Sequence, residues 1–362
     1  MNDSASARHR ILFIITSLYG GGAEKVCCVL ASKMAEKHDV TLLYFFEHEN
    51  GKHYPLDERV KRICMPYLTC RPLTHPLKWL VCQWLNFKNV RAAKRNNHVD
   101  LSVSLLLSPN ALNVFTRRRG ERIVTSERAN PRVFLPKLFG LTRLIYGLSD
   151  HVVFQSETVR SLYGKRIRAK SSIIMNPVSI SCRADEVRRK RIVSVGRLTD
   201  QKNHAMLIRS FAAFHARFPD YSLTIYGEGS ERENLQKQID TADLSSCVSL
   251  AGNVEQVHAH IRDAEIFVLS SNFEGLSNAL LECMTMGIAC ISTRCEGSTD
   301  VIRDGENGLL VDIGDERALT EAMCRLAADP ELRRRLERAA MEDSAAFDKE
   351  TVIHSWEKVF FP

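Results

Sequence analysis

Two glutamates carry the strongest chemical suggestion in this sequence. Glu274 and Glu282 bracket Gly-Leu-Ser-Asn-Ala-Leu-Leu, directly after the apolar run Ile266 to Leu269. A strand, a turn at Glu274-Gly275 and a helix capped by Ser277 or Asn278 would leave unpaired backbone N–H groups at the helix start, and such groups attract an anion. One carboxylate would then stand at the mouth of an anion site, and the other on the helix wall behind it. Taken alone, acidic residues around a helix start are ordinary. The neighbouring loops have to decide.

Those loops supply matching chemistry. Arg197 and Lys202 put two fixed cations in one loop, Gly227, Glu228 and Gly229 allow close backbone approach in the next, and Gly252-Asn253 follows in a third. With the turn Gly275, Leu276, Ser277 and Asn278, this set would hold a diphosphate. No metal is expected, because the chain contains no Asp-x-Asp pair of the kind that holds a divalent ion. Glu282 suits two adjacent hydroxyls, as a ribose offers, and Glu274 suits a sugar on the other phosphate. The ligand implied is a nucleotide sugar, bound as substrate with no further cofactor.

The elements around these residues alternate strand and helix. Ile192 to Val195, Ser222 to Tyr226, Val248 to Ala251, Ile266 to Leu269 and Ala289 to Thr293 read as strands, each running into one of the loops or into Arg294-Cys-Glu-Gly297. That pattern builds a doubly wound parallel sheet whose ligands bind beyond the carboxyl ends of the strands. The first half begins likewise, with strands at Ile11 to Thr16, Val40 to Phe46, Leu101 to Leu107, Ile123 to Ser126, His151 to Gln155 and Ser172 to Met175. After the first strand come Gly20, Gly21 and Gly22 and a helix from Ala23 to Lys37. Three glycines there fit close approach to an anion or a plain flexible turn; the G-x-G-x-x-G spacing of a dinucleotide site is not met.

Bulk properties agree with a two-domain globular enzyme. The chain has 362 residues, 44% hydrophobic and 26% charged, enough for two cores. No apolar run reaches membrane-spanning length, and Ile11 to Ile15 is too short for a signal-peptide core, so a cytoplasmic protein is expected. The cysteines form no Cys-x-x-Cys pair and read as reduced core thiols, while His258 and His260 read as surface residues.

Charge divides unevenly. Residues 1–180 hold 28 Lys and Arg against 13 Asp and Glu, and residues 181–362 hold 22 against 30. A basic half suits an anionic lipid surface or a phosphorylated partner. Within it, Pro76 to Arg95 reads as a helix with Leu77, Leu80, Val81, Trp84 and Leu85 as its apolar stripe. Trp79 falls off that stripe, and Lys88, Arg91 and Lys94 surround it. Such a helix fits an anionic membrane surface or packing on its own sheet. Nucleic acid is not expected, since no stacking platform accompanies the charge.

These motifs together resemble the retaining GT-B glycosyltransferases of the glycogen synthase and phosphatidylinositol mannosyltransferase superfamily, glycosyltransferase group 1. The resemblance rests on Gly20-Gly-Gly-Ala-Glu24, Val195-Gly-Arg-Leu198 with Lys202-Asn203, Gly227-Glu-Gly229 and the stretch from Glu274 to Glu282. It implies two Rossmann-like domains facing a central cleft, here 1–177 on the acceptor side and 178–348 for the nucleotide sugar, with a tail, 349–362, returning to the first. It also implies that Arg197 and Lys202 bind the donor diphosphate, that Glu274 contacts the donor sugar and Glu282 the ribose, and that Gly21 and Gly22 lie near the phosphates. Ser126-Glu127-Arg128 with Asn130-Pro131 looks like the subgroup that extends lipid-linked oligosaccharides in bacterial surface polysaccharide synthesis, from a donor that is usually UDP-linked. Relatives hold a residue near the reacting centre in that loop, often a histidine, and its absence here makes Glu127 or Ser126 the catalytic candidate, against the alternative of a structural strand end. A sugar-nucleotide epimerase on the same architecture, or a GDP-mannose-dependent transferase, stands as the alternative.

Overall fold

The computed structural model describes residues 8–19, 21–47, 53–65, 76–128, 138–180 and 187–362, with only the backbone described for 76–80. The chain forms two compact units, Met1–Asn176 together with Val352–Pro362, and Pro177–Thr351.

Unit 1 is built on seven strands: β1 (Arg10–Ser17), β2 (Asp39–Phe46), β3 (Lys61–Cys64), β4 (Leu101–Leu105), β5 (Arg122–Ser126), β6 (His151–Phe154) and β7 (Ser171–Ile173), in the order β3-β2-β1-β4-β5-β6-β7. Unit 2 has six: β8 (Arg189–Val195), β9 (Ser222–Tyr226), β10 (Val248–Gly252), β11 (Ala264–Leu269), β12 (Ala289–Thr293) and β13 (Leu309–Val311), in the order β10-β9-β8-β11-β12-β13. All pairings within both sheets are parallel. Strands covered by helices on both faces must be apolar along their length, and Ile11 to Ile15 and Ala264 to Leu269 are buried without interruption. The doubly wound parallel architecture expected from the sequence is present.

The helices needed below are α1 (Gly22–Met34), α2 (Pro76–Asn96), α3 (Leu107–Phe115), α4 (Phe139–Leu148), α5 (His204–His215), α6 (Val257–Ile261), α7 (Asn278–Thr285), α8 (Glu296–Thr299) and α9 (Lys349–Phe360). The last of them carries residues of unit 1, where Trp356 and Phe360 are buried and Arg122 donates to the carbonyl of Val359. Among the described residues no helix is long and apolar enough to cross a membrane.

Two local readings need correction. The strand expected through Leu107 stops at Leu105: Leu106 takes a φ of 77°, and Leu107 opens α3 with Pro109 in its first turn. On α2 the buried face is not the apolar stripe. Val81 and Trp84 are 55% and 57% exposed, while Asn86, Val90, Ala93 and Lys94 point inward. Lys94 therefore leaves the basic surface set. Its ammonium donates to the Asn113 carbonyl and side chain at 2.8 and 2.7 Å and pairs with Glu121 at 2.8 Å. Burial pushes its pKa down to about 8, against the pull of Glu121. Helical periodicity finds a face but not which way it looks, and here a polar cluster between α2 and α3 holds the inner one.

Candidate active site

In unit 2 the strand order reverses between β8 and β11, which are neighbours. A crevice opens at such a switch point beyond the carboxyl ends of the strands. The loop after β8 carries Arg197 and Lys202, and the loop after β11 carries Glu274. Side chains bind the two loops together: Asn272 donates to the Asp200 carbonyl at 2.8 Å, Asn203 to Asn272 at 3.0 Å, Ser270 to the Lys202 carbonyl at 2.9 Å and Gln201 to the Phe273 carbonyl at 3.1 Å. Asn203 can do this because it sits at φ 47° as the cap of α5, a conformation asparagine tolerates.

This lacing brings opposite charges together. The Lys202 ammonium lies 2.5 Å from Glu274 Oε1, and Ser271 donates to the same oxygen at 2.8 Å. Ser271 is itself fixed from β12, where Thr293 donates to its carbonyl at 2.6 Å. Glu274 is buried, whereas Arg197 is exposed and forms no ion pair among the described residues. The site thus offers one held cation and one free one.

Glycines set the spacing around it. Gly227, at φ 139°, lies so close to the β8 loop that a Cβ would come 2.0 Å from the Gly196 carbonyl oxygen. Behind α7, a Cβ on Gly297 of α8 would lie 2.0 Å from the Gly275 oxygen. The Cys295 to Asp300 stretch therefore backs the Gly275-Leu276 turn. Ser277 is the cap of α7 and accepts from the Leu280 N–H, as the sequence predicts. Glu228 lies beside Gly252 and pairs with Arg232 at 2.8 Å.

Next to these loops is a cavity of about 230 Å³, lined by Val195, Gly196, Arg197, Tyr226, Gly227, Gly252, Asn253, Val254 and Val257. One residue beyond Val257, on α6, His258 Nε2 stands 2.9 Å from Glu282 Oε2. His258 is therefore not the plain surface residue expected from sequence; His260, by contrast, is exposed. Under the β8 loop His204 is 2% exposed, and burial holds its pKa down at about 4, aided by the charge of Lys202. It is a neutral ring at physiological pH.

Residues 183–343 match the family described as Glycosyl transferases group 1. The chain carries a glycosyltransferase group 1 domain. Its relatives include bacterial glycosyltransferases of surface and lipid-linked glycans. One is the Campylobacter jejuni GalNAc-alpha-(1->4)-GalNAc-alpha-(1->3)-diNAcBac-PP-undecaprenol alpha-1,4-N-acetyl-D-galactosaminyltransferase, 26% identical, covering 97% of this chain and 98% of the relative. A second, the amylovoran biosynthesis glycosyltransferase AmsD of Erwinia amylovora, is 24% identical over 97% and 99%. Among solved structures, Anabaena Alr3699/HepE in complex with UDP superposes with a TM-score of 0.81 at 14% identity over 96% and 98% of the two chains. The lipopolysaccharide outer core galactosyltransferase WaaB, in apo form, gives 0.74 at 18% over 97% and 99%. The fold is GT-B.

The residues of unit 2 singled out in the sequence lie in the loops that follow β8, β9, β10 and β11, with Glu282 on α7 behind them. The residues singled out in unit 1 stand differently. Gly21 caps α1 and Gly22 opens it, with the Glu24 carboxylate lying against Gly21 and accepting from Thr16 at 3.2 Å; Gly20 lies outside the described residues. Glu127 is buried and accepts from the Tyr146 hydroxyl at 2.6 Å and the Arg128 N–H at 3.0 Å. Glu127 thereby ties α4 to the end of β5. Asn130 and Pro131 lie outside the described residues, as does the side chain of Trp79. Lys88 and Arg91 are exposed on α2, and the Lys88 ammonium sits 4.5 Å over the Trp84 ring.

Proposed function

We propose that this chain is a retaining, metal-independent glycosyltransferase. It moves a hexose or N-acetylhexosamine from a UDP-sugar to a polyprenyl-diphosphate-linked or related lipid-linked oligosaccharide, in O-antigen, capsule or exopolysaccharide synthesis. The observation that carries the reading is the pairing of Lys202 with Glu274 in laced loops beside the exposed Arg197. It is a diphosphate site with a carboxylate placed where the sugar would emerge. The named acceptors of the Campylobacter relatives and the UDP of the structural neighbour support the same reading.

Arg197 and Lys202 stabilise the charge that grows on the departing diphosphate, most strongly once the bound donor excludes water from between them. The acceptor hydroxyl attacks C1 of the sugar from the face the diphosphate leaves. As the C1–O bond to phosphate breaks, its electron pair goes to the phosphate oxygen, which takes the hydroxyl proton. No carboxylate becomes a nucleophile. Glu274 accepts from sugar hydroxyls, Glu282 from the ribose, and the cavity lined by Gly252 to Val254 takes the base.

The enzyme works at the inner face of the cytoplasmic membrane. The exposed run Val81, Trp84, Lys88, Arg91 and Arg95 on α2 follows helical spacing and combines an apolar end with a basic one, which suits an anionic bilayer. The test is to incubate the protein with UDP-sugars and polyprenyl-diphosphate oligosaccharides, with and without EDTA, and to read UDP release and the anomeric configuration of the product. Inverted product, or loss of turnover in EDTA, would refute the mechanism. Interconversion of the nucleotide sugar without release of UDP would replace the transferase with an epimerase.

A further inference from the structure

We infer that a cavity at the amino edge of the unit 1 sheet binds a phosphate monoester, at a site separate from the donor loops of unit 2. The cavity measures about 330 Å³ and opens where β5, β6 and β7 meet α9. Arg122 at the start of β5, His151 at the start of β6, Ser172 on β7 and Lys358 on α9 form its polar wall; Ile173 and Val359 form an apolar one. Because β5, β6 and β7 run parallel, this mouth lies at the opposite end of the strands from Glu127.

The charge of the cavity points to the ligand. Along the same edge Arg10 pairs with Asp100 at 2.8 Å and Arg117 with Asp150 at 3.0 Å. Arg122 and Lys358 form no ion pair among the described residues, and no Asp or Glu lines the cavity. The chain terminus at Pro362 borders it without pairing to either cation. Arg122 is held by one donation, from Nη2 to the Val359 carbonyl at 3.0 Å, and its Nε is buried with no partner. A half-buried guanidinium without a carboxylate lacks the counter-charge such groups normally have. Its planar fork suits a phosphate, and Lys358 can meet a further oxygen as a point charge. His151 adds hydrogen bonding without charge: burial lowers its pKa to about 4, and the charges of Arg122 and Lys170 act the same way. Its Nε2 lies 3.0 Å from Ser172 Oγ, which places ring and hydroxyl together on the wall. A bare phosphate would fill only part of the space. The remainder, against Ile173 and Val359, takes the carbon body of an ester.

The experiment follows the His151 ring resonance by NMR in the full-length protein at pH 7, assigned with His151→Gln. Two monoesters are titrated at constant ionic strength: glycerol 3-phosphate, and dihexanoyl phosphatidic acid below its micelle concentration. The resonance should shift to saturation. Tighter binding of glycerol 3-phosphate identifies a free solute as the ligand, and tighter binding of the phosphatidic acid identifies a lipid headgroup. Lys358→Glu, at an exposed position, and Arg122→Gln should each weaken binding about tenfold or more. Lys237→Glu makes the same change of net charge on an exposed residue of unit 2 and should leave binding within about twofold. A His151 resonance that neither ester moves would overturn the inference. So would equal losses in Lys358→Glu and Lys237→Glu, which would reveal only attraction to net charge.

Discussion

Glu274→Gln separates the two ligands that the site is built to hold. The Lys202 ammonium is 2.5 Å from Glu274, and the two side chains are 13% and 9% exposed. A diphosphate arriving at Lys202 meets that carboxylate as a neighbour of its own sign. For a phosphate oxygen about 5 Å from it, in an effective dielectric of about 40, the repulsion is about 1.7 kcal/mol. Glutamine removes the charge and keeps an oxygen for Ser271 and Lys202, so UDP should bind to Glu274→Gln about tenfold more tightly than to the wild type. The UDP-sugar should not share this gain. Its sugar hydroxyls lose a charged acceptor, at about 1.5–3 kcal/mol, which cancels or exceeds the relief. Turnover should fall steeply with a normal melting temperature. Isothermal titration with UDP and with the UDP-sugar reads the two effects apart. Weaker UDP binding in Glu274→Gln would refute the reasoning, because it would mean that the carboxylate serves the diphosphate by holding Lys202 in place.

Four other perturbations test different links. His204 is neutral and buried with its pKa at about 4, so the unfolded chain takes up its proton first as pH falls; stability from this group is complete above about 6.5 and lost toward 4, by about 3 kcal/mol in all. Urea midpoints for His204→Phe should accordingly fall less than those of the wild type between pH 6.5 and 4, and parallel curves would discard the assignment. Gly227→Ala puts a methyl 2.0 Å from the Gly196 oxygen at a φ of 139°, which should cost about 2–4 kcal/mol and abolish UDP binding; an alanine variant that still binds UDP would show that the loops have room. Lys94→Met leaves Glu121 buried without its cation and should cost about 3–5 kcal/mol without changing vesicle binding. Trp84→Ala combined with Lys88→Glu and Arg91→Glu should do the reverse, reducing pelleting with anionic vesicles while UDP binding stays intact.

The donor half was legible because its chemistry is local. Each of its loops follows a strand directly, so reading the strands placed Arg197, Lys202, Gly227, Gly275 and Glu274 on one edge, and Ser277 was readable as a cap from its type and position alone. What could not be read was whatever depends on contacts distant in sequence. His258 looked like surface because its partner, Glu282, comes from another helix. The lacing through Asn272 and Gln201 gives no sequence signal, although two asparagines and a glutamine in facing loops could have suggested it. Lys94 misled because a lysine on a basic helix is normally solvated, and only Asn113 and Glu121, brought by α3 and the turn before β5, make its burial tolerable. Glu127 was ambiguous for the same reason, since its hydroxyl partner, Tyr146, comes from α4.

The division of the chain has a consequence for its synthesis. Unit 1 comprises Met1–Asn176 and Val352–Pro362, with all of unit 2 between the two pieces. Trp356, with no exposed surface, and Phe360 fill positions in unit 1 that nothing earlier in the chain occupies. On the ribosome, therefore, the first unit to be translated is the last to be finished. It waits without α9 while Pro177–Thr351 is made and folds as a continuous segment. During that interval the surface that α9 will cover is open to chaperones and to other nascent chains. A truncation just after Thr351 would spare unit 2 and strike the unit at the opposite end of the gene.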